Sequence, residues 1–126
     1  MQSAPETPRV LVVDDKQEMA DMLADDLSDR GFHGISALSG DEALRVLRTE
    51  RVDVLVTDLR MPDVDGLDLL RASLALDPSR PVIMMTGYGT LDSAMEATGR
   101  GAFHYLFKPF RLDVLVRVVE QALRSR

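Results

Sequence analysis

The chain has 126 residues, of which 45% are hydrophobic, and its 21 acidic and 15 basic side chains give a net charge of −6. This length suits a single domain with a substantial core. The lack of cysteine excludes disulfides, zinc–thiolate sites and thiol nucleophiles, and the presence of only two histidines excludes a histidine-rich metal centre. The negative charge argues against binding of nucleic acid, because an acidic surface repels phosphate.

Residues 1–8 are predicted to form a disordered lead-in, because their two prolines favour extended chain and they contain no apolar run. The segment lacks both the basic and the apolar regions of a secretory signal. Elsewhere the apolar runs reach about five residues, against roughly 20 for a membrane span. We therefore expect a cytoplasmic domain over residues 9–126 that makes no membrane contact.

Short apolar runs rich in β-branched residues predict the strands. Runs that are apolar at nearly every position are typical of strands covered on both faces, as in a parallel sheet. Four such runs occur, at residues 10–13, 52–56, 81–85 and 102–107. A weaker candidate at residues 33–38 suits a partly exposed strand at the edge of the sheet.

Segments with the apolar spacing of helices lie between the strands. The first covers about residues 16–30 and ends at Gly31, and the last covers residues 114–123. The N-caps expected for the three helices between them are Ser39, Asp65 and Thr90. The alternation of strand and helix, repeated five times, predicts an α/β fold with a doubly wound parallel sheet and helices on both faces.

Charged and hydroxyl side chains follow the predicted strands, at the edge where an open parallel sheet binds ligands. The first strand is followed by two of them, and the third, fourth and fifth by one each: Asp14, Asp15, Asp58, Thr86 and Lys108. Three clustered carboxylates repel one another unless a cation joins them, and ligation by oxygen alone favours Mg²⁺. A hard cation, an ammonium and a hydroxyl around a carboxylate form a site for a phosphoryl group, with the nearest carboxylate as nucleophile.

Each of these residues also has a purely structural interpretation. Asp15 precedes a helix, where an aspartate with Glu18 three residues later is typical of a capping box. Asp14 and Asp58 are of a type common in turns, and Lys108 is of a type common on solvated surfaces. The combination of these residues at four strand ends is what favours a common site.

Four segments together carry a resemblance to a known family. They are VLVVDD at residues 10–15, DLRMPDVDGL at residues 58–67, MTGYG at residues 85–89 and YLFKPF at residues 105–110. With them the sequence resembles a receiver domain of bacterial two-component response regulators, from about residue 9 to residue 123. Within that family it is similar to the receivers of nitrogen-regulation-type transcription activators.

The resemblance implies a flavodoxin-like fold with five parallel strands in the order 2-1-3-4-5. It implies that Asp58 accepts a phosphoryl group from a sensor histidine kinase or a phosphotransfer protein. Lys108 would pair with the phosphoryl oxygens, and its peptide bond to Pro109 would be cis. Mg²⁺ would be held by three carboxylates and one backbone carbonyl, those of Asp14, Asp15, Asp58 and Arg60.

The resemblance also implies a conformational switch. Thr86 would move its hydroxyl to the phosphoryl group, and the ring of Tyr105 would turn inward behind it. The surface of the fourth helix, fifth strand and fifth helix would report this change to a second copy of the chain, or to an output domain linked beyond Arg126. The receiver domain would catalyse only its own phosphorylation and dephosphorylation, through Asp58, Lys108 and Thr86.

Three other functions fit parts of the pattern. A hydrolase of the haloacid-dehalogenase type would need an aspartate two residues after the nucleophile, where Arg60 stands. An interaction module that ignores phosphorylation is disfavoured by the intact set of aspartates, threonine and lysine. Gly87 and Gly89 resemble part of a dinucleotide-binding loop, but Asp92 stands where its third glycine would be.

The remaining large apolar residues are predicted to pack. Phe103 and Phe107 are expected to be core residues of the fifth strand. Four methionines are expected in the core or in packed loops: Met61, Met84, Met85 and Met95.

Overall fold

The computed structural model describes residues 7–87 and 91–126, and within these ranges five strands alternate with five helices. The strands are β1 Arg9–Val13, β2 His33–Ala37, β3 Val54–Asp58, β4 Val82–Thr86 and β5 His104–Phe107. The helices are α1 Gln17–Asp29, α2 Gly40–Thr49, α3 Gly66–Leu76, α4 Leu91–Gly99 and α5 Leu112–Arg124. Across the two described ranges, no helix combines the length and hydropathy that crossing a bilayer requires.

All five strands pair in parallel, in the order β2-β1-β3-β4-β5. This order confirms the predicted doubly wound, flavodoxin-like sheet, with the weakest predicted strand at an edge. The register aligns Val10 with Val54, and Asp58 with Met85. Because parallel strands run in the same direction, their carboxyl ends share one edge of the sheet, which we call the carboxyl edge.

Two apolar layers cover the sheet, one on each face. Leu11 and Leu55 belong to one layer, and Val12 and Val56 belong to the other. Residues along each strand belong alternately to one layer and the other, because successive side chains point to opposite faces of the sheet. The three central strands β1, β3 and β4 are therefore buried on both faces, which explains why most of their residues are apolar.

The helix starts follow the sequence only in part. Ser39 and Asp65 cap α2 and α3, and each side chain accepts the backbone N–H three residues later, at 3.1 and 3.0 Å. Helix α1 begins differently: its N-cap residue is Lys16, without a side-chain cap, so the interpretation of Asp15 as a capping residue is wrong. Thr90, the predicted cap of α4, lies outside the described residues.

Three apolar side chains that were expected to pack are exposed. Phe103 and Phe107 are 36% and 47% exposed, and Met95 on α4 is 63% exposed. The prediction that these three side chains pack is wrong. Phe107 lies at the end of β5 and Phe103 just before it, and β5 is an edge strand with a neighbouring strand on one side only, so side chains there are less fully covered. Met95 lies on the solvent side of α4. The other methionines in the prediction are buried, as expected: Met61, Met84 and Met85.

Candidate functional site

Side chains from four neighbouring strands meet at the carboxyl edge. The sequence places Asp14 and Asp15 after β1, Asp58 at the end of β3, Thr86 at the end of β4 and Lys108 after β5. In the sheet β1, β3, β4 and β5 are consecutive neighbours, so these strand ends lie side by side. The structure brings the three aspartates and the lysine together.

Lys108 lies between two of the carboxylates. Its Nζ donates to Asp14 Oδ2 at 2.6 Å and to Asp58 Oδ2 at 3.1 Å. Burial of the ammonium works against its charge, but the bond to Asp14 and the nearby Asp58 carboxylate outweigh burial and raise the pKa of Lys108 above its ordinary value. Lys108 is therefore charged at neutral pH. Its peptide bond to Pro109 is cis, as the resemblance implied.

Three carboxylates are close enough to share a cation. Asp14, Asp15 and Asp58 each place an oxygen within 4.8 Å of the others, with Asp14 fully buried, Asp58 8% exposed and Asp15 exposed. The backbone N–H groups of Lys16 and Arg60 donate to Asp14 and Asp58, at 2.9 and 3.2 Å, and orient them. One lysine does not balance three negative charges, so a divalent cation that prefers oxygen, such as Mg²⁺, fits this donor set.

A cavity of about 490 Å³ opens over these groups. Its lining residues are Asp15, Lys16, Asp58, Arg60, Gly87, Lys108 and Pro109. The volume lies within the range of small-molecule sites, so a phosphoryl group has room beside Asp58. The exposed side chain of Arg60 adds a further cation to the lining.

The loop between β3 and α3 is held close to the strand that carries Asp58. Leu59 N donates to the Met85 carbonyl at 2.9 Å, and Gly66 N donates to the Leu59 carbonyl at 2.8 Å. A Cβ on Gly66 would lie 2.5 Å from the carbonyl oxygen of Asp58, so only glycine allows α3 to start this close to the strand. These contacts hold both ends of the loop that contains Arg60.

Thr86 and Tyr105, the predicted switch pair, lie on neighbouring strands. Thr86 is 1% exposed, and its carbonyl accepts the Lys108 N–H at 2.8 Å. Tyr105 is 9% exposed, and its ring centre lies 5.1 Å from that of Phe107. The Tyr105 hydroxyl hydrogen bonds with Ser93 Oγ at 3.2 Å, which links β5 to α4.

Sequence reasoning misses Asp63, which lies in the β3–α3 loop. Its carboxylate oxygens accept the backbone N–H groups of Gly40 and Asp41, at 3.2 and 3.1 Å. Backbone hydrogen bonds, the one from Asp41 foremost, lower the pKa of Asp63 below its ordinary value. An aspartate in a loop gives no sequence signal for a partner that lies 22 residues away.

Sequence reasoning also misses a charged group at the opposite edge of the sheet, formed by the amino ends of the strands. The Asp53 carboxylate accepts the Arg9 N–H at 2.8 Å and pairs with Arg51 at 2.6 Å and Arg126 at 2.8 Å. Nearby Arg80 is 6% exposed and donates to the carbonyl group that precedes Asp53, at 3.0 Å. These contacts link β1, β3 and the segment that follows α5. They lie at the opposite edge from the carboxylate cluster, so they contribute to the stability of the fold and not to the candidate site.

Comparison with known protein families decides the assignment. The family model described as the response regulator receiver domain matches residues 10–120. The chain belongs to this family. It is a receiver domain of two-component response regulators, a signalling domain that is activated by phosphorylation.

Individual relatives support the same assignment. The receiver domain is 38% identical over 116 residues to the transcriptional regulatory protein GlrR of Escherichia coli (strain K12), a match that covers 92% of this chain and 26% of that protein. It is 41% identical over 112 residues to the DNA-binding transcriptional regulator NtrC of Klebsiella pneumoniae, with 89% and 24% covered. These matches confirm the similarity to nitrogen-regulation-type activators. The chain spans about a quarter of the length of these curated relatives.

Comparison with a solved structure leads to the same family assignment. The receiver domain superposes on the beryllofluoride-activated NtrC4 receiver domain dimer with a TM-score of 0.87 and 33% sequence identity. The superposition covers 92% of this chain and 96% of that one. The fold and the family assignment therefore agree.

Proposed function

We propose that this receiver domain is a switch in a two-component phosphorelay, in which Asp58 accepts a phosphoryl group from a sensor histidine kinase or a phosphotransfer protein. The observation that carries the proposal is the cluster of three carboxylates within 4.8 Å of one another, two of them bonded to Lys108. Asp58 is suited to act as the nucleophile because it contacts Lys108 and lines the cavity. Asp14 is fully buried and lacks this access.

The proposed transfer breaks the phosphorus–nitrogen bond of the donor phosphohistidine and forms a phosphorus–oxygen bond to Asp58. The imidazole leaves with the bonding electrons and takes a proton from solvent, and the product is an acyl phosphate. Bound Mg²⁺ supplies neutralisation of charge on the phosphoryl oxygens. The carboxylates and the backbone carbonyl that would hold it belong to Asp14, Asp15, Asp58 and Arg60.

The proposed response to phosphorylation runs through Thr86 and Tyr105. The phosphoryl group adds roughly −1.5 to −2 charges at Asp58 and attracts Lys108 and the Thr86 hydroxyl. Movement of Thr86 leaves space into which the ring of Tyr105 turns. Because the Tyr105 hydroxyl is bonded to Ser93, a change in the ring position is passed to α4.

The surface of α4, β5 and α5 is the proposed reporting face. It carries the exposed apolar side chains of Met95 and Phe107, which suit a protein partner. One proposed partner is a second copy of the domain, since the NtrC4 receiver forms a dimer. The other proposed partner is an output domain linked beyond Arg126. In this proposal the receiver occupies residues 9–126 of a cytoplasmic regulator. The acidic receiver itself is not proposed to bind nucleic acid.

Incubation with acetyl phosphate tests the proposed acceptor. In the presence of Mg²⁺ the wild-type domain should gain the mass of one phosphoryl group, and chelation of Mg²⁺ should prevent the gain. Asp58→Asn should remain unlabelled, because an amide is too weak a nucleophile. Asp25→Asn changes an exposed aspartate on α1 and should be labelled like the wild type. Labelling of Asp58→Asn equal to that of the wild type would contradict the assignment of Asp58 as the acceptor.

This labelling assay, together with a phosphatase assay on small phosphoesters, separates the competing functions. Continuous release of phosphate from small phosphoesters would indicate a hydrolase, and a folded protein that is never labelled would indicate an interaction module. Arg60 stands at the position where the hydrolase needs a general acid. We therefore expect self-labelling and its reversal, without turnover of phosphoesters.

A further inference from the structure

The β3–α3 loop is fastened to α2 by Asp63, which has no part in the chemistry proposed above. Oδ1 of Asp63 accepts from Gly40 N at 3.2 Å, and Oδ2 accepts from Asp41 N at 3.1 Å. Gly40 and Asp41 are the first two residues of α2, and such N–H groups have no partner inside their own helix. The partial positive charge at the start of the helix favours a carboxylate in this position.

The next N–H group of α2 has a separate acceptor. Ser39 Oγ accepts from Glu42 N at 3.1 Å, and Glu42 Oε1 in turn accepts from Leu38 N at 2.8 Å. Helix α2 is therefore capped by residues of its own segment. The hydrogen bonds to Asp63 are an additional link, which joins the helix to the loop.

Helix α2 and the loop are also in close contact. A Cβ on Gly40 would lie 2.4 Å from Val64 Cβ and 2.8 Å from the Val64 carbonyl oxygen. Glycine thus allows the helix to start directly against the residue that follows Asp63. Between this contact and β3 lies Arg60, whose backbone carbonyl is the proposed main-chain ligand of Mg²⁺.

We propose that Asp63 is a positioning residue for the metal site: by fastening the loop to α2, it holds the Arg60 backbone where its carbonyl can reach the cation. This proposal rests on the proposed function, because it assumes Mg²⁺ among Asp14, Asp15 and Asp58. The Arg60 N–H also donates to Asp58 at 3.2 Å, so displacement of the loop loosens the acceptor carboxylate as well. In this proposal Asp63 acts on the Mg²⁺ site and on the Asp58 carboxylate only through the position of the loop.

Titration with Mg²⁺, followed by backbone amide signals in NMR spectra, tests this role without phosphorylation. Asp63→Ala removes both acceptors and should weaken Mg²⁺ binding about tenfold, at the low end of the losses seen for residues that orient metal ligands. Asp63→Asn keeps one acceptor oxygen and should recover part of the affinity. Ser39→Ala is the matched control, because it removes a cap from the same helix and leaves the loop attached. It should lower thermal stability and leave Mg²⁺ affinity unchanged.

Two results would overturn the role of Asp63. One is an Asp63→Ala domain that loses thermal stability as Ser39→Ala does but keeps wild-type Mg²⁺ affinity. The other is an equal loss of affinity in Ser39→Ala. Should Asp63→Ala fail to fold, Asp63→Asn with wild-type affinity would count against the role. A wild-type domain that binds Mg²⁺ but is not labelled by acetyl phosphate contradicts the proposed function, while the comparison of variants still decides the role of Asp63.

Discussion

At the scale of single residues, Lys108 is one cation facing three carboxylates. Its bonds to Asp14 and Asp58 at 2.6 and 3.1 Å hold the ammonium where it neutralises part of their charge. Burial opposes this charge, but the two carboxylates outweigh it and raise the pKa of Lys108. A raised pKa means that the lysine stabilises the fold below its unfolded pKa, and that this contribution is lost as pH rises through the folded pKa. At neutral pH the contribution is fully present.

Lys108→Ala should lower the free energy of unfolding by about 2–3 kcal/mol in Mg²⁺-free buffer, somewhat below the loss for a fully buried pair. The reason is that Asp14 and Asp58, both largely buried, then lose the ammonium that is hydrogen bonded to each of them. Mg²⁺ should restore more stability to this variant than it adds to the wild type, because the metal takes over the neutralisation. Urea unfolding with and without Mg²⁺ measures both effects.

The control for Lys108→Ala is Lys16→Ala, which removes the exposed lysine of the same cavity and should change stability little. A Lys108→Ala domain as stable as the wild type in Mg²⁺-free buffer would show that the lysine does not balance the carboxylates.

At the scale of the elements, the start of α3 is pressed against the end of β3. A Cβ on Gly66 would lie 2.5 Å from the Asp58 carbonyl oxygen and 2.7 Å from Leu59 Cα. Both neighbours are backbone atoms, so a side chain requires the helix or the strand to move. The strand that would move carries the proposed phosphoryl acceptor.

Gly66→Ala should therefore destabilise the domain by about 1–3 kcal/mol, as overpacking does, and should slow the labelling of Asp58 by acetyl phosphate. Gly99→Ala, at the end of α4, is the control, because a Cβ there meets nothing within 4 Å. Its stability should stay equal or rise by up to about 1 kcal/mol, since alanine favours a helix over glycine. Urea unfolding and the labelling rate measure the two effects; a Gly66→Ala domain that behaves like Gly99→Ala would refute the close approach.

The elements were predictable where local pattern and burial agree. The strands β1, β3 and β4 are covered on both faces, so a run that is apolar at nearly every position is sufficient to find them. The edge strand β5 breaks this rule, since its apolar run includes the exposed Phe107. Sequence alone does not show how much helix covers an edge strand.

The candidate site was predictable for a different reason. Parallel topology brings strand ends to one edge, so Asp58 and Lys108 could be placed together although 50 residues separate them. Asp63 lies in a loop, and its partner Asp41 lies 22 residues away. Asp53 precedes β3, and two of its partners, Arg9 and Arg126, lie 44 and 73 residues away. Only the folded chain defines these positions. No periodicity or motif marks such contacts.

At the scale of the whole molecule, charged groups lie at two opposite edges of the sheet, with apolar layers between them. Asp53 is the buried acid of the amino edge. Burial works against its ionisation, but the Arg9 N–H and the neighbouring Arg126 and Arg51 outweigh burial and lower the pKa of Asp53. A lowered pKa means that Asp53 stabilises the fold above its unfolded pKa, and that this contribution is lost as pH falls through the folded pKa.

Asp53→Asn should lower the free energy of unfolding near neutral pH by about 1–2 kcal/mol, because the charged hydrogen bonds are lost. The difference from the wild type should shrink as pH falls below about 4, where Asp53 of the unfolded chain takes up a proton, and should be lost as pH falls through the lowered pKa of the folded state. Urea unfolding over a pH series checks this, with exposed Asp25→Asn expected to follow the wild type. A difference that stayed constant into acid would rule out the charge of Asp53 as its cause.

The central claim is that Asp58 carries an acyl phosphate, and reduction with borohydride tests it most directly. Hydride reduces the acyl carbon of an aspartyl phosphate, phosphate leaves, and homoserine remains at that position. After incubation with acetyl phosphate and Mg²⁺, peptide mapping should find homoserine in place of Asp58 and at no other aspartate. Homoserine in place of Asp14 or Asp15, or a phosphoryl group that survives borohydride, would contradict the account.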